Sequence, residues 1–124
     1  MLLDSGASED YIDYRVVDRL KLPVLEVPGK QVKLANGITQ DAGRMVPDLR
    51  YRIGTFKDRR PFTVTKLSTD DVILGKPFLT SYNPDIDWVA NEVKLVKKGV
   101  EYALVAPKLS DNSPSVALLS ALQL

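Results

Sequence analysis

Apolar and polar residues alternate along much of the chain, which is the period expected of half-buried β-strands. The alternation is clearest at residues 49–53 and in the segment that starts at Phe62. The wholly apolar run Val72-Ile73-Leu74, closed by a glycine, predicts a short strand buried on both faces. Further strands are predicted near residues 31–34, 86–88, 93–95 and 100–105. The pattern therefore predicts a chain built mainly of strands.

One N-terminal segment has helical spacing instead. In residues 8–21, Ile12, Val16 and Leu20 recur every four residues and form one apolar stripe. Ser8 suits the N-cap, because its hydroxyl can accept a hydrogen bond from a free backbone N–H of the first turn. The segment therefore predicts a helix that packs its stripe against the core.

Two further segments are predicted as helices. Residues 77–82 start with a proline, which suits the first turn of a short helix. Residues 107–124 are rich in Ser, Leu and Ala and are predicted to form a linker or an accessory C-terminal helix. The main domain is then expected to comprise residues 1–106.

Turn residues divide the predicted strands. Asn36-Gly37 is a strong hairpin signal, because both residues tolerate positive φ, and the hairpin is expected to project as a ribbon. The charged residues 57–60 are predicted to form a solvated turn. Trp88 is expected to be a core anchor, since a large aromatic side chain buries much apolar area.

The chain contains neither Cys nor His. A disulfide framework, a thiol nucleophile, a Cys/His zinc site and a Ser-His-Asp triad are therefore excluded. Carboxylates are the best acid–base groups that remain, ahead of Lys and Tyr. No EF-hand spacing is present, and we expect neither a metal ion nor another cofactor.

Charge and hydropathy limit the expected partners. Seventeen basic and 16 acidic residues give a net charge of +1 over 124 residues. This balance predicts no direct binding of nucleic acid and no membrane association. No apolar run approaches the roughly 20 residues that span a bilayer. No signal peptide is recognisable, so we expect a cytoplasmic, intracellular protein.

The candidate chemistry lies at the start of the chain, in Asp4-Ser5-Gly6-Ala7-Ser8. The preceding apolar residues predict a buried strand that ends in a carboxylate. A glycine two residues later permits a tight turn or a close approach of another chain. On its own, Asp-Ser-Gly is a common turn tripeptide, so further stretches are needed to support a catalytic interpretation.

Four stretches, at residues 2–8, 32–37, 71–79 and 83–88, follow one another in the order found in retropepsins. These are the single-domain aspartic proteases of retroviruses and retrotransposons. The chain resembles in particular the protease domain of gypsy-type long-terminal-repeat retrotransposon polyproteins. The resemblance implies an all-β fold, a closed antiparallel barrel with one or two short helices. It also implies one catalytic Asp per chain, a homodimer and an extended polypeptide substrate.

The resemblance also implies roles for individual residues. Asp4 is the catalytic acid, acting with Asp4 of a second copy. Ser5 supports the site by hydrogen bonding across the dimer beneath the acids, and Gly6 allows the close approach. The residues implied to contact substrate are Ala7, Ser8, Ala35, Asn36, Gly37 and Ile73.

One departure from the retropepsin pattern leaves alternatives open. The family has a strand hairpin before its catalytic Asp, whereas three residues precede Asp4, so the N-terminal strands are expected to be truncated. One alternative is a catalytically inactive dimerisation or peptide-binding module of the same fold. Another is a cellular retropepsin-like protein in protein quality control. The main prediction is an endopeptidase that processes a retrotransposon polyprotein, within the cytoplasm or retrotransposon particles.

Overall fold

The computed structural model describes residues 1–33, 37–41, 43–67, 70–105, 108–109 and 115–117. In this part the chain is mostly β, with two short helices. The strands are β1 (Leu2–Asp4), β2 (Tyr11–Asp13), β3 (Leu25–Glu26), β4 (Gln31–Lys33), β5 (Thr39–Asp41), β6 (Arg44–Ile53), β7 (Phe56–Thr65), β8 (Val72–Leu74), β9 (Asp85–Asp87), β10 (Glu92–Lys97), β11 (Val100–Val105), β12 (Lys108–Leu109) and β13 (Ser115–Ala117). The helices are α1 (Tyr14–Leu20) and α2 (Lys76–Tyr82).

The described strands form three sheets. The main sheet has eight strands in the order β12-β13-β1-β8-β2-β7-β6-β3, and the others pair β11-β10-β9 and β4-β5. The main sheet is mixed, because β1 runs parallel to β8 and β2 runs parallel to β7. The predicted mostly β class is confirmed. The two parallel pairs depart from the predicted antiparallel arrangement, whereas the other pairs of the main sheet are antiparallel. In the described residues the sheets do not close into a barrel.

The core lies between the long β6–β7 hairpin, α2 and the β10–β11 hairpin. Leu49, Tyr51 and Ile53 on β6 are buried, as their alternation predicts. Phe56, which opens β7, meets Phe78 of α2 edge to face, with ring centroids 6.2 Å apart. Such edge-to-face contacts favour a fixed arrangement of the packed elements.

Helix α1 begins later than predicted. Its N-cap is Asp13, whose carboxylate accepts a hydrogen bond from the Arg15 N–H at 3.1 Å, so Ser8 is not the cap. Ile12 lies in β2, which is hydrogen-bonded on one side to β7 and on the other to β8. Sheet pairing on both sides therefore overrides the four-residue apolar spacing. Leu20, the last residue of the predicted stripe, is exposed.

Other expectations are corrected at the C-terminus and on the surface. Residues 115–117, within the segment predicted to be a linker or an accessory helix, form β13, antiparallel to β1. The pairing satisfies backbone groups of β1 on the side away from β8. The charged residues 57–60 belong to β7 and are not a turn. Trp88 is 44% exposed and is not a core anchor.

The predicted Asn36-Gly37 hairpin is present as the pair β4–β5. It forms a two-stranded sheet of its own, with Lys33 opposite Thr39. Gly37 has a φ of 83°, a left-handed value that glycine adopts without strain. Ala35 and Asn36 lie outside the described residues. Among the helices that the structure describes, none is long and apolar enough to cross a bilayer.

Candidate active site

Asp4 occupies the carboxyl end of β1, in the interior of the main sheet. Its neighbour Leu3 is paired with Leu74 of β8 and is 1% exposed. Asp4 itself is 5% exposed. The apolar lead sequence therefore places a carboxylate at a buried strand end, as predicted.

The loop after β1 turns back onto the Asp4 carboxylate. The Gly6 N–H donates to Asp4 Oδ1 at 2.8 Å, and the Ala7 N–H donates to the Asp4 backbone carbonyl at 3.2 Å. Among the described residues, Asp4 Oδ2 accepts no hydrogen bond. The loop thus holds one oxygen of the Asp4 carboxylate in place.

Gly75 packs directly against this loop. A Cβ on Gly75 would lie 2.2 Å from the Glu9 carbonyl oxygen and 2.7 Å from the Ala7 carbonyl oxygen. The Lys76 N–H donates to the same Ala7 carbonyl at 2.9 Å. Gly75 is extended backbone with a φ of −104°, so glycine is required by this close approach and not by a left-handed conformation.

Substituting Gly75 with Ala is expected to destabilise the domain. The added methyl overlaps the backbone of residues 7–9, so the loop must move, and overpacking of this kind costs about 1–3 kcal/mol of unfolding free energy. Gly43→Ala is the matched control, because a Cβ there meets no atom of the described residues within 4 Å. Chemical denaturation of both variants measures the difference, and equal unfolding free energies would contradict the proposed close packing.

The structure brings some of the predicted substrate residues together. Ala7 is buried in a small cluster with Tyr11 and Leu67, against which the half-buried Ile73 packs. Ser8 is exposed, and its hydroxyl lies 3.3 Å from the Tyr11 hydroxyl. These residues line one side of the Asp4 loop.

Gly37 and Ser5 differ from that group in their surroundings. Gly37 belongs to the separate β4–β5 ribbon and is exposed. Ser5 is half-buried, and within the described part of the chain its hydroxyl forms no hydrogen bond. The described residues therefore provide no partner for the hydroxyl that was predicted to bond across a dimer.

A buried carboxylate, Asp10, anchors the far end of the loop. It is 3% exposed, and its Oδ1 accepts from the Gly75 N–H at 2.7 Å. Its Oδ2 accepts from Arg60 Nη1 at 3.0 Å, and its carbonyl accepts from the Thr63 N–H at 2.9 Å. Burial raises the pKa of Asp10, although the bonds from Arg60 and Gly75 favour the ionised form. Asp10 therefore ties the loop to both β7 and the start of α2.

Arg60 links Asp10 to a second buried carboxylate, Asp58. Arg60 Nε donates to Asp58 Oδ2 at 3.0 Å, and the guanidinium lies over the Phe78 and Tyr82 rings. Asp58 also accepts from the hydroxyls of Tyr51 at 2.6 Å and Tyr82 at 2.7 Å. Burial by itself raises the pKa of Asp58, but these hydrogen bonds together lower it. Burial and Asp58 raise the pKa of Tyr82 to about 12.

The charged network was not predicted as part of the site. Residues 57–60 are all charged, as in a solvated turn, so the apolar–polar alternation typical of a strand is not apparent there. One sequence pattern could have identified the network: the alternation of residues in β7 puts Asp58 and Arg60 on the same inward face as Phe56 and Phe62. Their partner Asp10 is 50 residues distant from Arg60 in the sequence, so no local pattern identifies the pair.

A family model described as the PEG10/RTL1 protease domain matches residues 1–101. The matched range includes Asp4, the loop after it, the β4–β5 ribbon and the β8 segment. The chain belongs to this family. PEG10/RTL1 protease domains are retropepsin-like and come from gypsy retrotransposon-derived proteins, so the resemblance found in the sequence is confirmed. No curated protein matches the chain.

The family match does not extend to the last two described strands. It ends within β11, so β12 and β13 lie beyond the part that matches the PEG10/RTL1 protease domain. The Asp10–Arg60–Asp58 network lies entirely inside it. The family match supports a retropepsin-like protease domain at the level of the family.

Proposed function

We propose that this PEG10/RTL1 protease domain is an aspartic endopeptidase that acts as a homodimer on a retrotransposon polyprotein. The observation that carries the proposal is the geometry of Asp4, a buried carboxylate at a strand end with one oxygen held by the Gly6 N–H. The chain has no Cys or His that could supply a different nucleophile or base. The closed barrel predicted from the sequence remains part of this proposal.

The second carboxylate comes from another copy of the chain. The sequence contains a single Asp-Ser-Gly motif and no internal repeat. Ser5 makes no hydrogen bond within the described chain, and a Ser5 hydroxyl of a second copy would satisfy it. Oligomers of identical chains usually have two-fold symmetry, which places the same residue of each copy near the axis. Two Asp4 side chains would then face each other.

The mechanism follows from two facing carboxylates. Two carboxylates that face each other at short distance cannot easily both be charged, so one of them holds a proton. The ionised Asp4 takes a proton from a water held between the two carboxyl groups. The resulting oxygen nucleophile attacks the peptide carbonyl carbon, while the protonated Asp4 donates to the carbonyl oxygen. Proton transfer to the leaving nitrogen then accompanies C–N cleavage.

The substrate would bind as an extended strand over this loop. Backbone hydrogen bonds to an extended peptide provide affinity, and pockets for alternate side chains provide specificity. Ala7, Ser8 and Ile73 lie at the Asp4 loop and would form the floor. The β4–β5 ribbon would close over the peptide and exclude water. Ala35, Asn36 and Gly37 are the residues proposed to contact the substrate from this side.

A subunit-mixing experiment tests the shared site. Asp4→Asn chains are added to a constant amount of wild-type chain, and cleavage of a peptide library is measured after exchange. Random pairing leaves about a quarter of the cleavage rate at threefold excess, because mixed dimers hold one carboxyl group. Asp18→Asn, on the exposed face of α1, is the matched control and should cause no decline.

The outcomes separate this proposal from its competitor. A rate that stays constant as Asp4→Asn chains are added would show that each chain acts alone. A wild-type chain that stays monomeric in analytical ultracentrifugation and cleaves no peptide would instead favour the inactive peptide-binding module.

A further inference from the structure

A second site lies outside the Asp4 loop, in a cavity of about 530 Å³ at the tip half of the β6–β7 hairpin. We call it the basic cavity, because five of its seven lining residues are cationic. Its lining residues are Arg50, Tyr51, Arg52, Lys57, Asp58, Arg59 and Lys97. It shares no residue with the loop that carries Asp4.

Strand register brings four of these cations onto one face. Arg50 is directly opposite Arg59, and Arg52 is directly opposite Lys57. All four are exposed, while the intervening Tyr51 points into the core. The two pairs are separated by two residues along each strand, or about 7 Å. Like charges placed directly opposite each other on a sheet repel, so an anion that binds between these cations would relieve the repulsion.

The carboxylates nearby do not neutralise the group. Asp48 is ion-paired with Arg59 and lies close enough to Arg50 to feel its charge. Asp58 is bound by Arg60 and two tyrosine hydroxyls, and Lys97 approaches it to 3.6 Å.

The other three cations of the lining are Arg50, Arg52 and Lys57. Within the described part of the chain, these three side chains form no ion pair. Five cations against two carboxylates leave the cavity positively charged.

The chemistry of the lining selects the kind of anion. Three of the five cations are guanidinium groups, whose planar fork matches phosphate oxygens and remains charged at any physiological pH. The only aromatic side chain of the lining, Tyr51, is buried and hydrogen-bonded to Asp58, so no ring is available for base stacking or as an apolar anchor. Protein interfaces usually depend on such anchors, whereas phosphate contacts depend on charge.

We propose that the basic cavity binds the phosphodiester backbone of a nucleic acid, without sequence preference. This reverses the expectation drawn from the net charge of +1, which averages over the whole surface. The register of β6 and β7 concentrates cations that the total charge conceals. The site is independent of Asp4, so binding and cleavage can succeed or fail separately.

The test measures fluorescence anisotropy of a labelled oligothymidylate titrated with the full chain at several salt concentrations. The Arg50→Gln/Arg52→Gln variant is expected to bind more weakly. Its salt slope, the change of log affinity with log salt, should be smaller by about 1.4, because each lost phosphate contact contributes about 0.7 for a single strand. The control Arg19→Gln/Lys66→Gln removes the same charge from exposed positions outside the basic cavity and should bind like wild type.

Three results would overturn the proposal. The first is no binding of the oligonucleotide by wild-type chain at low salt. The second is an equal loss in the control variant, which would show diffuse attraction to the whole surface. The third is tighter binding of a poly-glutamate peptide of matched charge, which would assign the cavity to an acidic protein segment. Circular dichroism and thermal melting verify that both variants are folded.

Discussion

We expect that replacing Asp4 with Asn nearly eliminates peptide cleavage while the chain stays folded. The amide has the shape of the carboxylate, and its oxygen can still accept the 2.8 Å hydrogen bond from the Gly6 N–H. It cannot take a proton from water or share one with a second Asp4. We expect cleavage to fall by about 10⁴-fold, the upper end of what general acid–base catalysis contributes, since a homodimer loses both carboxyl groups.

The measurement is the rate of cleavage of a fluorogenic peptide pool by equal amounts of folded protein. Asp18→Asn removes a carboxylate from an exposed position of α1 and should cleave at the wild-type rate. Thermal melting verifies that Asp4→Asn keeps its fold. If folded Asp4→Asn cleaves peptide at the wild-type rate, Asp4 is not the catalytic acid and the aspartic mechanism is wrong.

We expect that replacing Arg60 with Met strongly destabilises the domain. The long apolar side chain keeps the contacts of the Arg60 stem with Phe78 and Tyr82, but the guanidinium between Asp10 and Asp58 is lost. Both carboxylates are buried, so each loses its main counter-charge. Removing one partner of a buried ion pair costs about 3–5 kcal/mol. That is a large share of the roughly 5–15 kcal/mol that stabilises a typical domain.

Arg59 provides the matched control for Arg60. It is the neighbouring residue of the same type, but its ion pair with Asp48 is exposed. Exposed pairs contribute about 0–1 kcal/mol, so Arg59→Met should barely change the free energy of unfolding. Adding Asp10→Asn to Arg60→Met should recover part of the loss, because one buried charge no longer lacks a partner. Equal denaturation midpoints for Arg59→Met and Arg60→Met would argue against a buried network.

The two predictions concern features that differ in how visible they are in the sequence. Asp4 is recognisable because a buried strand end and an Asp-Ser-Gly turn occupy adjacent residues. Arg60 is not, because its partner Asp10 lies 50 residues away. Gly75 is intermediate: the glycine at the end of an apolar run is visible, but the carbonyl it approaches belongs to another segment.

The same distinction explains the errors in the fold. The spacing of Ile12, Val16 and Leu20 is helical, yet Ile12 pairs in a sheet because β7 and β8 flank it. Composition favoured a linker or an accessory helix at residues 107–124, whereas residues 115–117 pair with β1. A local pattern indicates which face of an element is apolar, but it does not indicate which backbone groups need a hydrogen-bond partner in another strand.

The sequence by itself determined the β period of residues 49–53 and 72–74, the candidate acid Asp4, and the exclusion of Cys and His chemistry. These follow from residue type and local spacing. The tertiary structure alone decided where α1 begins, which residues anchor the Asp4 loop, and where positive charge collects on β6 and β7. Each of these depends on strands that are distant in the chain but adjacent in the sheet. Only the folded backbone sets their register, and the register determines which charges meet.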